Sequence, residues 1–281
     1  MEKRFTTVIR PKNGWFDLHL NELLRYRDLI MLFVKRNFTA YYKQTVLGPA
    51  WAIIQPFLTT VVFTVVFGNI AGLAPEGIPS FLYYLAGTVV WQYFAGCLTT
   101  TSSTFTANAS ILGKVYFPRL VMPISTVLSQ LISFGIQMLF FLAFWVYYLF
   151  APNSGVHPNL YILLFPLLVL QLACLSLGCG IIISACTTKY RDLAMLVGFG
   201  VQLWMYATPV AYDISIIPER WLGLYMCNPV TPVVLTMRYA FLGIGNFDFK
   251  WYLIGWGTTL ILLFFGVILF SRVEKTFMDT V

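Results

Sequence analysis

The stretch VKRNFTAYYKQTVLGPAWAIIQPFLTTVVFTVVFG, residues 34–68, decides how this chain is built. Its first third is basic and amphipathic. Its last two thirds form an apolar run long enough to cross a bilayer, for which about 20 residues suffice. Gly48 and Pro49 join the two parts. Proline lacks a backbone N–H and disfavours helical geometry at the residue before it. The chain is therefore expected to bend there, passing from the membrane surface into the membrane.

Upstream of the bend, Leu20, Leu23, Leu24, Met31, Val34, Phe38, Tyr41 and Tyr42 fall on one helical stripe, with Arg25, Lys35, Arg36 and Lys43 beside or behind it. A basic amphipathic helix rich in aromatics next to a span belongs at the lipid interface. A helix packed on a soluble domain would read the same way. Residues 1–16 are unpatterned and are expected to be a cytoplasmic lead-in, which sets a domain 1–48 before a transmembrane domain 49–281.

The whole composition agrees. Of 281 residues, 59% are hydrophobic and 10% are charged, against about 25% charged in soluble domains. The net charge of +7 reads here as membrane orientation and not as a nucleic-acid surface, because its placement is uneven. No secretory signal is expected, since a long charged lead precedes the first apolar run. Five cysteines, Cys97, Cys174, Cys179, Cys186 and Cys227, form no CxxC pair. They read as small buried hydrophobes, with no disulfide framework and no metal site.

Six stretches can span: roughly 49–70, 81–103, 121–150, 160–186, 193–212 and 252–271. Alternate connections hold fifteen and three of the eighteen Lys and Arg residues. The positive-inside rule then puts both termini in the cytoplasm. Segment 213–250 is apolar but cut by Pro218, Pro229 and Pro232 into pieces too short to cross, so re-entrant or interfacial helices are expected. The fold class is all-α: six spans, an amphipathic helix before them, and re-entrant helices between the fifth and sixth.

Within the spans, Trp51 and Gln55 share one side of the first, and Met195, Phe199, Gln202 and Tyr206 form one stripe on the fifth. An amide in a membrane helix faces protein or water, because lipid cannot satisfy it. Both readings stay open for Gln55 and Gln202. The second span ends in a hydroxyl-rich run, TTTSSTFT, residues 99–106. Ser110–Tyr116 can form about two helical turns before Pro118, either an ordinary connection or a docking knob for a partner.

Equally informative is what the spans lack. No Asp, Glu, Lys, Arg or His lies in the core of any of the six, which weakens proton-coupled transport and intramembrane hydrolysis. The sequence has no GxxxxGK[ST] phosphate loop, no HExxH and no GxSxG. Uphill movement would need energy from another subunit, so the chain is expected to be a non-enzymatic transport component. No cofactor is expected in the chain itself.

Several segments resemble a known family: YRDL (26–29), KRNFTAYYKQTVLGPAWAIIQP (35–56), FPRLVMP (117–123), YATPVAY (206–212) and NPVTPVV (228–234). Over about residues 20–272 the chain is similar to the membrane-spanning subunit of ABC exporters for lipid-linked polysaccharides, such as O-antigen, teichoic acid and capsule. The SSTFTANAS run, residues 102–110, is not matched to that pattern. The resemblance implies a homodimer in the bacterial inner membrane with two copies of an ATP-binding subunit below. Its substrate would be an undecaprenyl-diphosphate-linked glycan, and nucleic acid is not a partner.

Tyr41 and Tyr42 would form the entry gate, while Arg36 and Lys43 attract the diphosphate. Trp51, Gln55, Phe199, Gln202 and Tyr206 would line an aromatic path, with Ser110, Gly113, Lys114, Tyr116 and Arg119 in a coupling segment, 107–119. The alternatives are a drug- or lipid-exporting permease of the same architecture and a non-transporting membrane scaffold.

Overall fold

The computed structural model describes residues 20–280 except Gln44, Gly113, Tyr116, Asn153 and Arg191, without side chains at 20–22, 109, 112, 188–189 and 273–280. The lead-in, residues 1–16, and His19 lie outside the described residues. Among those described there are helices and connections and no strand.

At the expected bend, two short helices, α1 (Leu20–Arg25) and α2 (Arg27–Tyr42), give way to a turn. Gly48 then takes a left-handed backbone, φ +52°, which a glycine adopts without steric cost. A 3-10 turn over Gly48–Ala50 with Pro49 at its start leads into α3 (Trp51–Phe63), extended by wider π turns to Ile70. The stripe drawn from Leu20 to Tyr42 is interrupted at Tyr26, between α1 and α2. Phe33, Val34 and Tyr42 are buried, whereas Leu24, Met31 and Tyr41 are exposed. The packed face is rotated because α2 lies along α7 (Val121–Phe150), and the Phe33 ring meets Phe117.

Among the described residues, five helical stretches are long and apolar enough to cross a membrane: Gly48–Ile70, Ser80–Ser102, Val121–Phe150, Leu160–Thr187 and Phe249–Arg272. They contain α3, α4 (Ser80–Ser102), α7, α8 (Phe165–Lys189) and most of α12 (Phe249–Thr280). Between α4 and α7 lie two short helices, α5 (Thr104–Ala107) and α6 (Ala109–Leu112). The expected fifth span, 193–212, is helical only over α9 (Leu193–Tyr206). Beyond it, Thr208, Pro209, Val210 and Ala211 are buried in a non-helical turn. Pro209 lacks the N–H that a seventeenth helical residue would have to donate. Segment 213–250 holds α10 (Glu219–Cys227) and α11 (Val230–Leu242).

Helix α4 is the centre of the molecule. It is the least apolar of the five, at mean hydropathy 1.2, and the most enclosed, with 78% of its window buried against 22% for α3. That order follows from the medium: Tyr83 and Thr88 would lack in hydrocarbon the polar partners that Arg238 and Thr60 give them here. An arc runs α3, α7, α8, α9 around α4, each packed on it and each of the first three on a neighbour in the arc. Helix α12 lies outside, against α8. Their crossing is close because a Cβ on Gly178 would stand 2.8 Å from the Leu263 backbone, the small-residue contact that membrane helices use in place of a hydrophobic driving force.

A second, smaller apolar cluster sits at the far end of α4. Phe33 of α2 and Phe117 pack there with Phe105, whose ring stacks on Phe270 at 4.5 Å between centroids. Cys97 and Cys179 are buried as expected, but Cys186 and Cys227 are exposed, being at helix ends where no packed neighbour covers them.

Candidate functional site

The residues singled out in the sequence fall into three groups. The first is a pair of exposed stripes. Along α3, Trp51, Gln55, Leu58 and Val62 are exposed, spaced three and four apart, while Ala52, Pro56, Thr60 and Phe63 face inward. The hydroxyls of Thr60 and Thr88, 2.9 Å apart, fix α3 to α4 in that rotation. Along α9, Met195, Phe199, Gln202 and Tyr206 are likewise exposed. Trp204 orients this helix, with its ring against Phe94 of α4 and its Nε1 donating to Asn228 Oδ1 at 3.0 Å. Since α3 and α9 are the two ends of the arc around α4, both stripes are left without a neighbouring helix within the chain. The first carries one aromatic, Trp51, with Gln55, and the second two, Phe199 and Tyr206, with Gln202.

The second group lies on α2. Tyr42 is buried, shares a hydrogen bond with Ser133 Oγ at 3.0 Å, and meets the exposed Tyr41 edge-on at 4.8 Å. Burial raises the Tyr42 pKa above the ordinary phenol value, with the Ser133 bond opposing it. Arg36 is not a free cation: its Nη2 donates to Asn37 Oδ1 at 3.0 Å and Asn108 Oδ1 at 3.1 Å, and its guanidinium lies 4.6 Å from the Phe33 ring. Burial draws its pKa down. Asn108 Nδ2 in turn donates to Thr104 O at 3.0 Å. Arg36 thus joins α2 to the short helices after α4. Lys43 is exposed at the end of α2.

The third group is the 107–119 connection. Ser110 and Lys114 are exposed and Arg119 is half-buried, while Gly113 and Tyr116 lie outside the described residues. The helix expected over 110–116 is confined to Ala109–Leu112, followed by a turn at Lys114.

One constellation escaped the sequence reading. Arg238, counted there as a loop cation, is 2% exposed on α11. Its Nη1 donates to Tyr83 Oη at 2.7 Å and Pro209 O at 2.6 Å, and its Nη2 donates to Val210 O at 2.7 Å. The guanidinium lies over the Tyr83 ring at 3.7 Å, and Tyr83 donates onward to Asp213 Oδ1 at 3.3 Å. Gly87 makes room, since a Cβ there would be 2.7 Å from Nη2. Burying a cation is costly unless its donors are matched; both terminal nitrogens are, while Nε has no partner among the described residues.

Helix α11 is fastened at both ends as well. Asn228 Oδ1 accepts from the Val230 N–H at 3.2 Å. At the other end the backbone N–H of His157, the Nδ2 of Asn159 and the Nε1 of Trp145 donate to the carbonyls of Leu242, Tyr239 and Phe241. Helix termini leave such groups unmatched otherwise. The proline-bounded 206–212 and 228–234 segments were the available signal, but nothing local pairs them across the chain.

This arrangement is a helical membrane scaffold with two open faces, and among the described residues no group of three His, Cys, Asp or Glu could hold a metal. The ABC-2 type transporter family profile matches residues 28–242, well over half the chain. The chain belongs to the ABC-2 type transporter family. The matched region takes in α2 through α11, both open stripes and the Arg238 site. Among curated relatives, the O-antigen export system permease protein RfbA of Klebsiella pneumoniae is 28% identical over 254 residues, covering 90% of this chain and 94% of that protein. Its namesake from Myxococcus xanthus is 28% identical over 225 residues, 79% of this chain and 83% of that protein. The inner membrane transport permease YadH of Escherichia coli K12 is 23% identical over 201 residues, 69% of this chain and 77% of that protein. As an ABC-2 family member with five long apolar helices, the chain is a membrane transport component.

Proposed function

We propose that this chain is the permease half of an ATP-driven exporter that moves an undecaprenyl-diphosphate-linked, O-antigen-like polysaccharide out across the inner membrane. The single observation carrying this reading is the pair of open stripes on α3 and α9. Each combines one or two aromatic rings with an amide, Gln55 on one and Gln202 on the other, in helices that lipid would otherwise cover. A second copy brought against these faces would enclose a path lined by Trp51, Gln55, Phe199, Gln202 and Tyr206. Aromatic faces there let sugars slide without tight hydrogen bonding. The names of the RfbA relatives support glycan as the cargo.

In this reading α9 with the following turn, buried at 208–211, is the fifth of six spans, α10 and α11 are re-entrant helices near the outer exit, and both termini are cytoplasmic. Two ATP-binding subunits, carrying ATP and Mg, dock on the 107–119 connection through Ser110, Gly113, Lys114, Tyr116 and Arg119. Their closure pulls on Asn108, and Arg36 passes that movement to α2, with Tyr41 and Tyr42 at the entry. Lys43, exposed beside the bend, remains available to the diphosphate. Arg36 acts mainly as a link, because its guanidinium is already engaged.

The test pairs two substitutions on the open faces, Trp51→Ala and Phe199→Ala. Surface polysaccharide should fall, while co-purification with the ATP-binding subunit and basal ATP hydrolysis stay as in the parent. Normal export in the double variant would remove these faces from the path. Stimulation of hydrolysis by a drug or free lipid, and not by a lipid-linked glycan, would move the cargo to another class.

A further inference from the structure

A polar cavity of about 260 Å³ lies away from both open stripes, between α2, the hydroxyl-rich end of α4, α5 and the first half of α7. Its walls include Tyr41, Tyr42, Thr100, Ser103, Thr126 and Ser129. No Asp, Glu, Lys or Arg lines it. Arg36, the nearby cation, spends its Nη2 donor on Asn37 and Asn108, two residues of the wall.

The directions of the wall hydrogens decide what fits. Thr100 Oγ1 donates to Gly96 O at 2.6 Å, Ser103 Oγ to Thr100 O at 3.2 Å, and Thr126 Oγ1 to Met122 O at 3.1 Å. Each hydroxyl has used its hydrogen on its own helix, which leaves lone pairs as its remaining capacity. The amides of Asn37 and Gln130 and the hydroxyl of Tyr41 add neutral donors to these acceptors, so the wall suits an uncharged ligand rich in O–H groups, and no lining cation is there to hold a phosphate. Two tyrosines at right angles, Tyr41 and Tyr42, add ring surface against which the C–H face of such a ligand packs. The volume is below the roughly 300 Å³ at which pockets for drug-sized ligands begin, enough for one small ring. Thr104, 2% exposed and lining the same cavity, keeps a hydroxyl with no partner among the described residues.

We propose that this cavity is a binding site for a single uncharged sugar ring, held by the hydroxyl lone pairs of α4 and α7 and by the tyrosines of α2. The site is separate from the path between α3 and α9, and that the sugar belongs to the cargo rests on the polysaccharide reading. Its floor includes Asn108, so an occupied site bears on the same Arg36–Asn108 link that joins α2 to the 107–119 connection.

The experiment places the full chain in lipid nanodiscs and measures saturation-transfer NMR with methyl glycosides of galactose, mannose, rhamnose and N-acetylglucosamine, and with inorganic pyrophosphate. At least one glycoside should show transfer. Filling the cavity by Ser129→Leu or by Ala107→Leu should weaken it roughly tenfold, a loss of about 1.4 kcal/mol. Leu260→Ala on the exposed face of α12, outside both the path and the cavity, should leave the signal unchanged, and unaltered melting of Ala107→Leu guards against a folding defect. No transfer from any glycoside, equal transfer in both filled variants, or displacement of the glycoside by pyrophosphate would each overturn the site. A glycoside signal in a protein whose cells export no glycan would keep the cavity and remove the cargo reading. Export lost in the Trp51 and Phe199 variants without any glycoside signal would do the reverse.

Discussion

Arg238 carries more of the structure than any other single side chain. It holds three elements together: α11, on which it sits, α4 through Tyr83, and the turn after α9 through the carbonyls of Pro209 and Val210. Removing the guanidinium strands those acceptors in an enclosed site, where each unmatched group costs about 1–3 kcal/mol. Arg238→Met should therefore destabilise the protein by about 3–5 kcal/mol, read as a large fall in melting temperature in detergent. Tyr83→Phe should cost less, since the two carbonyl bonds remain. A second residue-scale expectation concerns the Arg36 link. Asn108→Ala should leave melting nearly unchanged, because Arg36 keeps Asn37, yet lower surface polysaccharide at constant ATP hydrolysis. Neither role was legible in the sequence. Arg238 stands in a proline-rich connection, and its partners lie 155 and 29 residues away.

At the scale of elements, the bend at Gly48 and Pro49 and the limits of α7, 121–150, were readable because proline chemistry and run length act locally. The face of α2 was not. Hydrophobicity put Leu24, Met31, Val34 and Tyr42 on one stripe, but Val34 and Tyr42 are buried together with Phe33, whose ring meets Phe117, while Leu24 and Met31 are exposed. The contact of α8 with α12 gives a sharper test. Gly178 is enclosed by the backbone of Leu262 and Leu263, and a Cβ at Gly266 would come 2.7 Å from Gly178 O. Backbone cannot move aside as a flexible side chain can. Gly178→Leu should force α12 off α8 and yield protein that aggregates on extraction, whereas Gly257→Ala, where nothing lies within 4 Å of the added Cβ, should extract as the parent does.

For the molecule as a whole, orientation is the first thing to measure. In a cysteine-free background, Glu76→Cys should react with an impermeant reagent added outside, and Lys114→Cys should react only after the membrane is opened; the opposite pattern would invert the six-span topology. What the sequence determined by itself was the class of molecule: a helical membrane protein, its long apolar stretches and its bend. Those properties follow from run length, residue polarity and proline, which need no distant partner. Only the tertiary structure decided which helix is central, where the polar side chains find each other, and which faces stay open. Helix α4 is enclosed because Tyr83 and Thr88 need polar partners around them, Arg238 is buried because two remote segments bring carbonyls to it, and the stripes on α3 and α9 are open because the arc of helices stops there.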